Sequence, residues 1–362
     1  MCNIDEGKII SIISDHKNTW RFLPSQISYK IIHEIENFAE IEEEITISLL
    51  RKKIIQKTIH RKISKNEFEI LISTGPAKNS KIKIFVIKED SETKINIEID
   101  LHLGIQYRIL TKFIQKKYRI ILEQLINKII NYAKITAGKK WEDSLFENGN
   151  MLILSDRYSS LKFYNWWNGD LPTVFGQEVY QTLDVKNKIV LDIGANIADS
   201  SIYFAQKGAK RVIGLEPYPK NFKWGEKNIL INNFQDKISF ELAGCSNQTS
   251  KITIDEKNFG TSTGLEIHEN GIVIPTLSLK DIIKKYNIKN GILKMDCEGC
   301  EYDSIPNTDN DDLQKFESIL IEYHDGFEKL EEKLRNAQFL VKVEQNKMKE
   351  YKNRGYIFAN RK

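Results

Sequence analysis

The residues best suited to chemistry in this sequence begin with one stretch, Lys188-Ile189-Val190-Leu191-Asp192-Ile193-Gly194-Ala195-Asn196-Ile197-Ala198-Asp199. It reads as a buried strand, a turn of small residues and the start of a helix. A ligand seated at the carboxyl end of a strand needs the backbone to come close. Gly194 removes a side chain there, and Ala195 keeps the wall thin. Roughly 20 residues on, Glu216 ends the next apolar strand, where Rossmann-like folds set an acid against ribose hydroxyls. A carboxylate accepts both hydroxyl hydrogens, which no neutral side chain does as well. Alone, Asp-x-Gly is a tight turn and Glu216 a surface acid; their spacing joins them into a nucleoside site.

The turn also says what the ligand is not. A dinucleotide fingerprint needs three glycines so that a pyrophosphate can sit on the helix N-terminus. Here the last two fall on Asn196 and Asp199. Asp192 adds negative charge near the mouth, which disfavours a pyrophosphate and suits a sulfonium with an ammonium tail. The expected cofactor is S-adenosyl-L-methionine. Its expected binding set is Asp192, Gly194, Ala195, Asn196, Asp199 and Glu216, with Ala243 just after the strand Ile238–Leu242.

These residues also carry a family resemblance. Val190–Ser201 resembles the first motif of the FkbM methyltransferases, and Gly208–Pro217 their second strand. Leu293-Lys294-Met295-Asp296-Cys297-Glu298-Gly299-Cys300-Glu301 is similar to their Lys-x-Asp-x-Glu-Gly-x-Glu motif, and Ile321-Glu322-Tyr323-His324 to a later strand that ends near the site. Order and spacing agree over about half of the chain. The departure is Ala198, where a glycine is usual. The resemblance implies a class I methyltransferase sheet with a reversed last strand. It also implies methyl transfer to an oxygen, usually a hydroxyl on a metabolite, lipid or sugar. Such a hydroxyl is a poor nucleophile until a base takes its proton. Asp296 follows the fourth strand and His324 ends the fifth. Histidine has the better-placed intrinsic pKa, so His324 is the expected base. Asp296 then orients the acceptor or the methionine ammonium, and Glu298 supports either.

Strand and helix alternate around these residues. Ile189–Ile193, Val212–Glu216, Ile238–Leu242, Gly291–Asp296, Ser318–Tyr323, Phe339–Val343 and Tyr356–Ala359 read as strands, which predicts a doubly wound α/β sheet over 188–362. Lys139–Lys188 is a connector whose Trp141, Trp166 and Trp167 predict packing; 138–187 is read as an extension of the methyltransferase domain. Tyr164, Trp166 and Trp167 could flank an acceptor, but aromatic clusters are more often core.

The first part, to about Ala137, has a different rhythm. Ile27–Glu36, Glu40–Leu49, Lys53–Ile63, Glu67–Ser73, Lys81–Lys88 and Thr93–Leu103 alternate apolar and polar residues, as half-buried strands do. Asn37, Lys65-Asn66, Gly75-Pro76 and Glu89-Asp90-Ser91 supply the turns, so an antiparallel meander is expected. From Leu110 to Ala133 apolar residues recur at three and four, the stripe of one long helix, with Gly138 as its stop. A sheet closed by such a helix resembles the helix-grip fold of the START-like, polyketide-cyclase-like (SRPBCC) superfamily. Ser14–Trp20 followed by Pro24 is similar to its early helical turn. The superfamily usually opens with a strand before that turn, and here only a few residues precede Gly7. The fold expected overall is an α+β helix-grip domain over 1–137 followed by a Rossmann-like class I methyltransferase domain.

Other constellations read less sharply. Cys297 and Cys300 have knuckle spacing but no second pair, and the four cysteines of 362 residues make no disulfide framework. Packing beside the site is the favoured role. Asp296, Glu298 and Glu301 offer hard oxygen ligands that suit Mg²⁺, but no metal is expected. Arg51–Lys65 and Lys112, Lys116, Lys117, Arg119 and Lys128 read as solvated faces. A net charge of +4 does not demand a nucleic-acid partner. No apolar run spans a bilayer, the opening residues lack a signal-peptide pattern, and a cytoplasmic protein is expected. The expected partner is a small-molecule acceptor, with a hydrophobic one among the candidates and the oligomeric state open. Two rivals remain: a ligand carrier whose second domain binds the cofactor without catalysis, and an NAD-dependent oxidoreductase. Intact acids at Asp192, Glu216 and Asp296 disfavour the first, and the turn disfavours the second.

Overall fold

Period-two alternation builds the first part of the molecule. The structure, a computed structural model, describes residues 4–23, 27–47, 52–89, 92–104, 111–146, 151–254, 271–346 and 353–361. Pro24, Leu49, Arg51, Asp90, Ser91 and Leu110, named above, lie outside them. Contacts divide the chain into two units, Met1–Leu161 and Lys162–Lys362, so the expected connector is shared between the two.

In the first unit, strands β1 (Ile27–Ile35), β2 (Phe38–Ile47), β3 (Lys52–Ser64), β4 (Glu67–Ile72), β5 (Lys81–Glu89) and β6 (Glu92–Asp100) pair in chain order as an antiparallel sheet. Register follows the pleat: Ile41 faces Thr58, Thr58 faces Ile72, and Phe68 faces Ile84, so one face is buried along the sheet. The helical period produces α2 (Thr111–Ile135), which buries Leu122, Ile126, Ile129 and Ala133. Gly138 turns the chain after it at φ +83°. The strand and long-helix boundaries lie where the two periods put them, within a few residues.

Sequence reading passed over α1 (Glu6–Ser14). Asp5 caps it by accepting from the Gly7 amide, and Ile9, Ile10, Ile12 and Ile13 are buried. Lys8 is buried with them, donating to the Lys139 carbonyl at 2.8 Å and to that of Thr136. Carbonyls left over at the end of α2 thus meet an ammonium.

In the second unit, apolar strands alternate with helices. β7 (Ile189–Ile193), β8 (Arg211–Glu216), β9 (Ile238–Leu242), β10 (Gly291–Met295), β11 (Phe316–Tyr323), β12 (Phe339–Gln345) and β13 (Gly355–Arg361) form a sheet ordered β9-β8-β7-β10-β11-β13-β12. The first five in that order are parallel, and β13 runs antiparallel to both of its neighbours. This is the sheet the resemblance implied, reversed last strand included. Helices α3 (Asp199–Gln206) and α4 (Pro219–Ile231) follow β7 and β8; α5 (Leu279–Tyr286), α6 (Cys300–Asn307) and α7 (Glu328–Asn336) come later. The chain order reverses at β7 and β10, and the crevice beyond their carboxyl ends is where such sheets bind ligands. A small sheet of Gly244–Cys245, Ser250–Ile254 and Ile272–Leu277 was not foreseen. Residues 162–187 belong to this unit and are packed. Asn228 on α4 accepts from the Tyr164 amide at 2.7 Å and donates to the Ile197 carbonyl at 3.0 Å. Trp166 is fully buried. No described helix is long and apolar enough to cross a membrane.

Candidate functional site

β7 ends at the turn on which the site depends. Gly194 has φ +74°, and a Cβ there would lie 1.7 Å from the Asp296 carbonyl oxygen. Glycine is therefore required by the crossing of two protein loops, where the sequence had suggested room for a ligand. The Gly194 and Ala195 amides donate to the Leu215 carbonyl at 3.1 and 3.0 Å, closing the turn onto β8. Asn196 and Ala198 also have positive φ. The left-handed position at Ala198, φ +66°, explains why glycine is usual there.

Glu216 sits at the end of β8, 4 % exposed. It accepts from the amides of Asn196 and Tyr218, each at 2.9 Å, and Asn221 approaches at 3.5 Å. Burial pushes its pKa up to about 7, against the pull of those donors. Asn196 donates to the Asn168 carbonyl at 2.6 Å, and Asn168 to Asn221 at 2.7 Å. One acceptor, Asn196 Oδ1, is buried with no hydrogen-bond partner among the described residues. Ala243 is buried beside this group and donates its amide to the Glu216 carbonyl at 3.2 Å. A fixed carboxylate with lone pairs to spare and an unmet amide oxygen form a donor-seeking wall. That fits the hydroxyls and amino groups of S-adenosyl-L-methionine.

Asp192 lies elsewhere. It is fully buried, accepts from Ser200 and Ser201 at 2.7 and 2.6 Å, and pairs with Lys294 at 3.0 Å. Its charge is met inside the sheet and is not offered at the mouth, so the electrostatic case drawn from it does not hold. Lys294 faces Asp192 in the β7–β10 register and donates to the Gly194 carbonyl at 3.0 Å. Burial opposes its charge, yet Asp192, Asp296 and Asp199 hold its pKa above the ordinary lysine value. One charge inside each of two adjacent apolar strands was the signal for this pair. Asp199, opening α3, is likewise internal; it accepts from the Asp170 and Ser200 amides at 2.7 and 3.0 Å, and burial raises its pKa to about 6.

The chemistry-bearing cluster forms where β10 and β11 end. His324 Nδ1 lies 2.9 Å from Glu301 Oε1, while Nε2 lies 3.6 Å from Asp296 and 3.5 Å from Glu298. The three residues expected to act together are therefore together. Glu301, fully buried, was weighed only as a metal ligand, and here it anchors the imidazole while accepting from the Gly299 amide at 2.8 Å. Burial opposes protonation of His324, but the bond to Glu301 and the charges of Asp296 and Glu298 raise its pKa to about 9. At neutral pH it is an imidazolium, which corrects the expectation of a resting base. Burial also raises Glu298. Glu322, not singled out from sequence, joins Asp296 and His324 in one group; burial and the charges of Asp296 and Asp170 raise it to about 8.

The loops bearing this cluster are tied down. The Tyr302 hydroxyl donates to the Gly326 carbonyl at 2.7 Å and accepts from the amides of His324 and Asp325 at 3.1 and 2.6 Å. Cys297 and Cys300 are joined as a disulfide, where simple packing had been expected.

Residues 192–356 match the methyltransferase FkbM domain family. Over 149 residues the chain is 30 % identical to the uncharacterised protein 158B of Sulfolobus islandicus rod-shaped virus 1, covering 41 % of this chain and 68 % of the viral one. Over 72 residues it is 38 % identical to a protein named as an N5-glutamine methyltransferase in Methanocaldococcus jannaschii. That match covers 20 % of this chain and 36 % of the archaeal protein's length. Among solved structures, the S-adenosylmethionine-dependent methyltransferase of Agrobacterium tumefaciens aligns with 59 % of this chain and 71 % of its own, at 12 % identity and a TM-score of 0.35.

Proposed function

Because this chain belongs to the family of viral protein 158B and, over residues 192–356, is a methyltransferase of FkbM type that uses S-adenosyl-L-methionine, we propose that it methylates a hydroxyl oxygen of a small acceptor. The carrying observation is the cluster of Asp296, Glu298, Glu301, Glu322 and His324 at the ends of β10 and β11. When bound, the cofactor supplies an electrophilic methyl group. What this chain's residues must supply is orientation and an acceptor for the hydroxyl proton.

On the cofactor side, Glu216 takes the ribose hydroxyls and Asn196 Oδ1 takes a neighbouring donor. Gly194 lets the turn close against the Asp296 backbone and Ala195 and Ala243 keep the wall thin, while Asp192 and Asp199 act from behind it by fixing Lys294 and the 168–170 loop. On the acceptor side, Asp296 takes the proton. His324 as an imidazolium holds Asp296 and Glu298 in place, and Glu301 fixes the ring. The first unit is read as a START-like helix-grip domain, on the strength of its six antiparallel strands and the helix Thr111–Ile135. Its role in this proposal is to hold a small hydrophobic molecule.

The test is to incubate the protein with methyl-labelled S-adenosyl-L-methionine and cell extract, then identify the labelled product. A labelled methoxy group supports the proposal. Label on nitrogen or carbon refutes the oxygen acceptor, and no label in any extract supports the carrier alternative.

A further inference from the structure

The first unit contains a buried polar group that methyl transfer does not use. A cavity of about 80 Å³ lies between its sheet and α2. Ile41, Phe68, Ile84, Leu122 and Ile126 make most of its wall apolar, and His16, Thr19, Tyr29, Glu43, His60 and Tyr118 interrupt it. Glu43 is already occupied: Gln56 donates to it at 2.8 Å and Thr58 at 3.3 Å, with His60 Nε2 at 3.8 Å. His60 Nε2 also lies 3.1 Å from the Thr58 hydroxyl.

His16 differs. It is 5 % exposed, with Nδ1 2.9 Å from Glu34 Oε1. Its Nε2 is buried and has no hydrogen-bond partner among the described residues. Such a buried atom is uncommon and unfavourable unless something meets it. An imidazole whose Nδ1–H donates to a carboxylate presents Nε2 as a lone pair, which seeks a donor. Burial and the neighbouring His60 lower the His16 pKa, against Glu34 and Asp15, which keeps that acceptor form at neutral pH. The volume excludes a long acyl chain and leaves room for no more than one small ring.

We propose that this cavity binds a small phenol or alcohol whose hydroxyl donates to His16 Nε2 while its hydrocarbon body lies against Phe68, Ile84 and Ile126. The inference rests on the ligand-holding reading of this unit and names the ligand class.

Phenol and toluene test it, because they share a shape and differ by a hydroxyl for a methyl. Burial alone favours toluene. Titrated into the full-length protein by calorimetry, phenol is expected to bind one per chain and about tenfold more tightly than toluene, the scale of one buried hydrogen bond. Nitrogen NMR should show the His16 Nε2 resonance moving with phenol and not with toluene. His16→Phe keeps a ring without the acceptor, and the preference should invert; should that variant fail to fold, the wild-type pair decides. Tighter binding of toluene overturns the hydroxyl readout and leaves the unit a ligand holder. Binding of neither overturns both, and leaves His16 to a buried water.

Discussion

Two buried histidines in this protein make the same first contact and behave oppositely. His16 in the first unit and His324 in the second each place Nδ1 2.9 Å from a glutamate oxygen. Yet the His16 pKa is lowered, while that of His324 is raised to about 9. What differs is the second nitrogen. At His16 burial and the neighbouring His60 outweigh Glu34 and Asp15. At His324 two further carboxylates, Asp296 and Glu298, face Nε2 and outweigh the same burial. An acid at one ring nitrogen orients an imidazole; acids at both nitrogens charge it. The first arrangement leaves a neutral imidazole in the lining of a cavity, and the second an organised cation among carboxylates.

The largest effect that can break this contrast is on turnover. Asp296→Asn should lower kcat by roughly 10²–10⁴ with the cofactor Kd unchanged, as loss of a positioned base does. Single-turnover kinetics on the true acceptor decides it. Normal turnover would remove Asp296 from the chemistry.

The pH profile separates an organising His324 from a basic one. If the imidazolium holds Asp296 and Glu298, kcat falls as pH rises through about 9. Ionisation of Glu322 near 8 adds a carboxylate nearby that favours the same charge. If neutral His324 were the base, kcat would rise over that range. His324→Gln should flatten the limb in either case, which ties it to this residue.

Smaller effects appear in stability, with opposite signs in the two units. The folded pKa of His324 lies above its unfolded value of 6.5, so its contribution is complete below 6.5 and lost as pH rises through about 9. The folded pKa of His16 lies below 6.5, so its contribution is present above 6.5 and lost on acidification. Proton NMR should show His324 titrating near 9 and His16 below 6.5. If these two residues titrate together near 6.5, the contrast fails.

Much of the fold was legible because it follows period and spacing. Strict alternation over Ile27–Asp100 left one way to bury a face, and the apolar runs at Ile189 and Gly291 left one way to build a parallel core. The short sheet at Gly244–Leu277 escaped because its strands are too brief for alternation to stand out. At the site, the spacing from Gly194 to Glu216 revealed the turn and the acid, and the FkbM resemblance added Asp296, Glu298 and His324. What stayed hidden depends on partners distant in sequence. Asp192 looked like charge at a mouth until Lys294 stood beside it, 102 positions away by their numbers and 3.0 Å across the sheet. His324 looked like a base because its intrinsic pKa is apt, and only Glu301, Asp296 and Glu298 around it revealed the charge.

The most direct test of the methyltransferase site is calorimetric titration of S-adenosyl-L-methionine into wild type and Glu216→Ala. The wild type should bind one per chain. The variant should bind more weakly by about 1.5–3 kcal/mol, the worth of charge-assisted bonds to the ribose hydroxyls. Wild-type affinity should also weaken as pH falls below about 7, where Glu216 takes up a proton. Unchanged affinity in a folded Glu216→Ala protein, or no saturable binding by the wild type, would contradict the account.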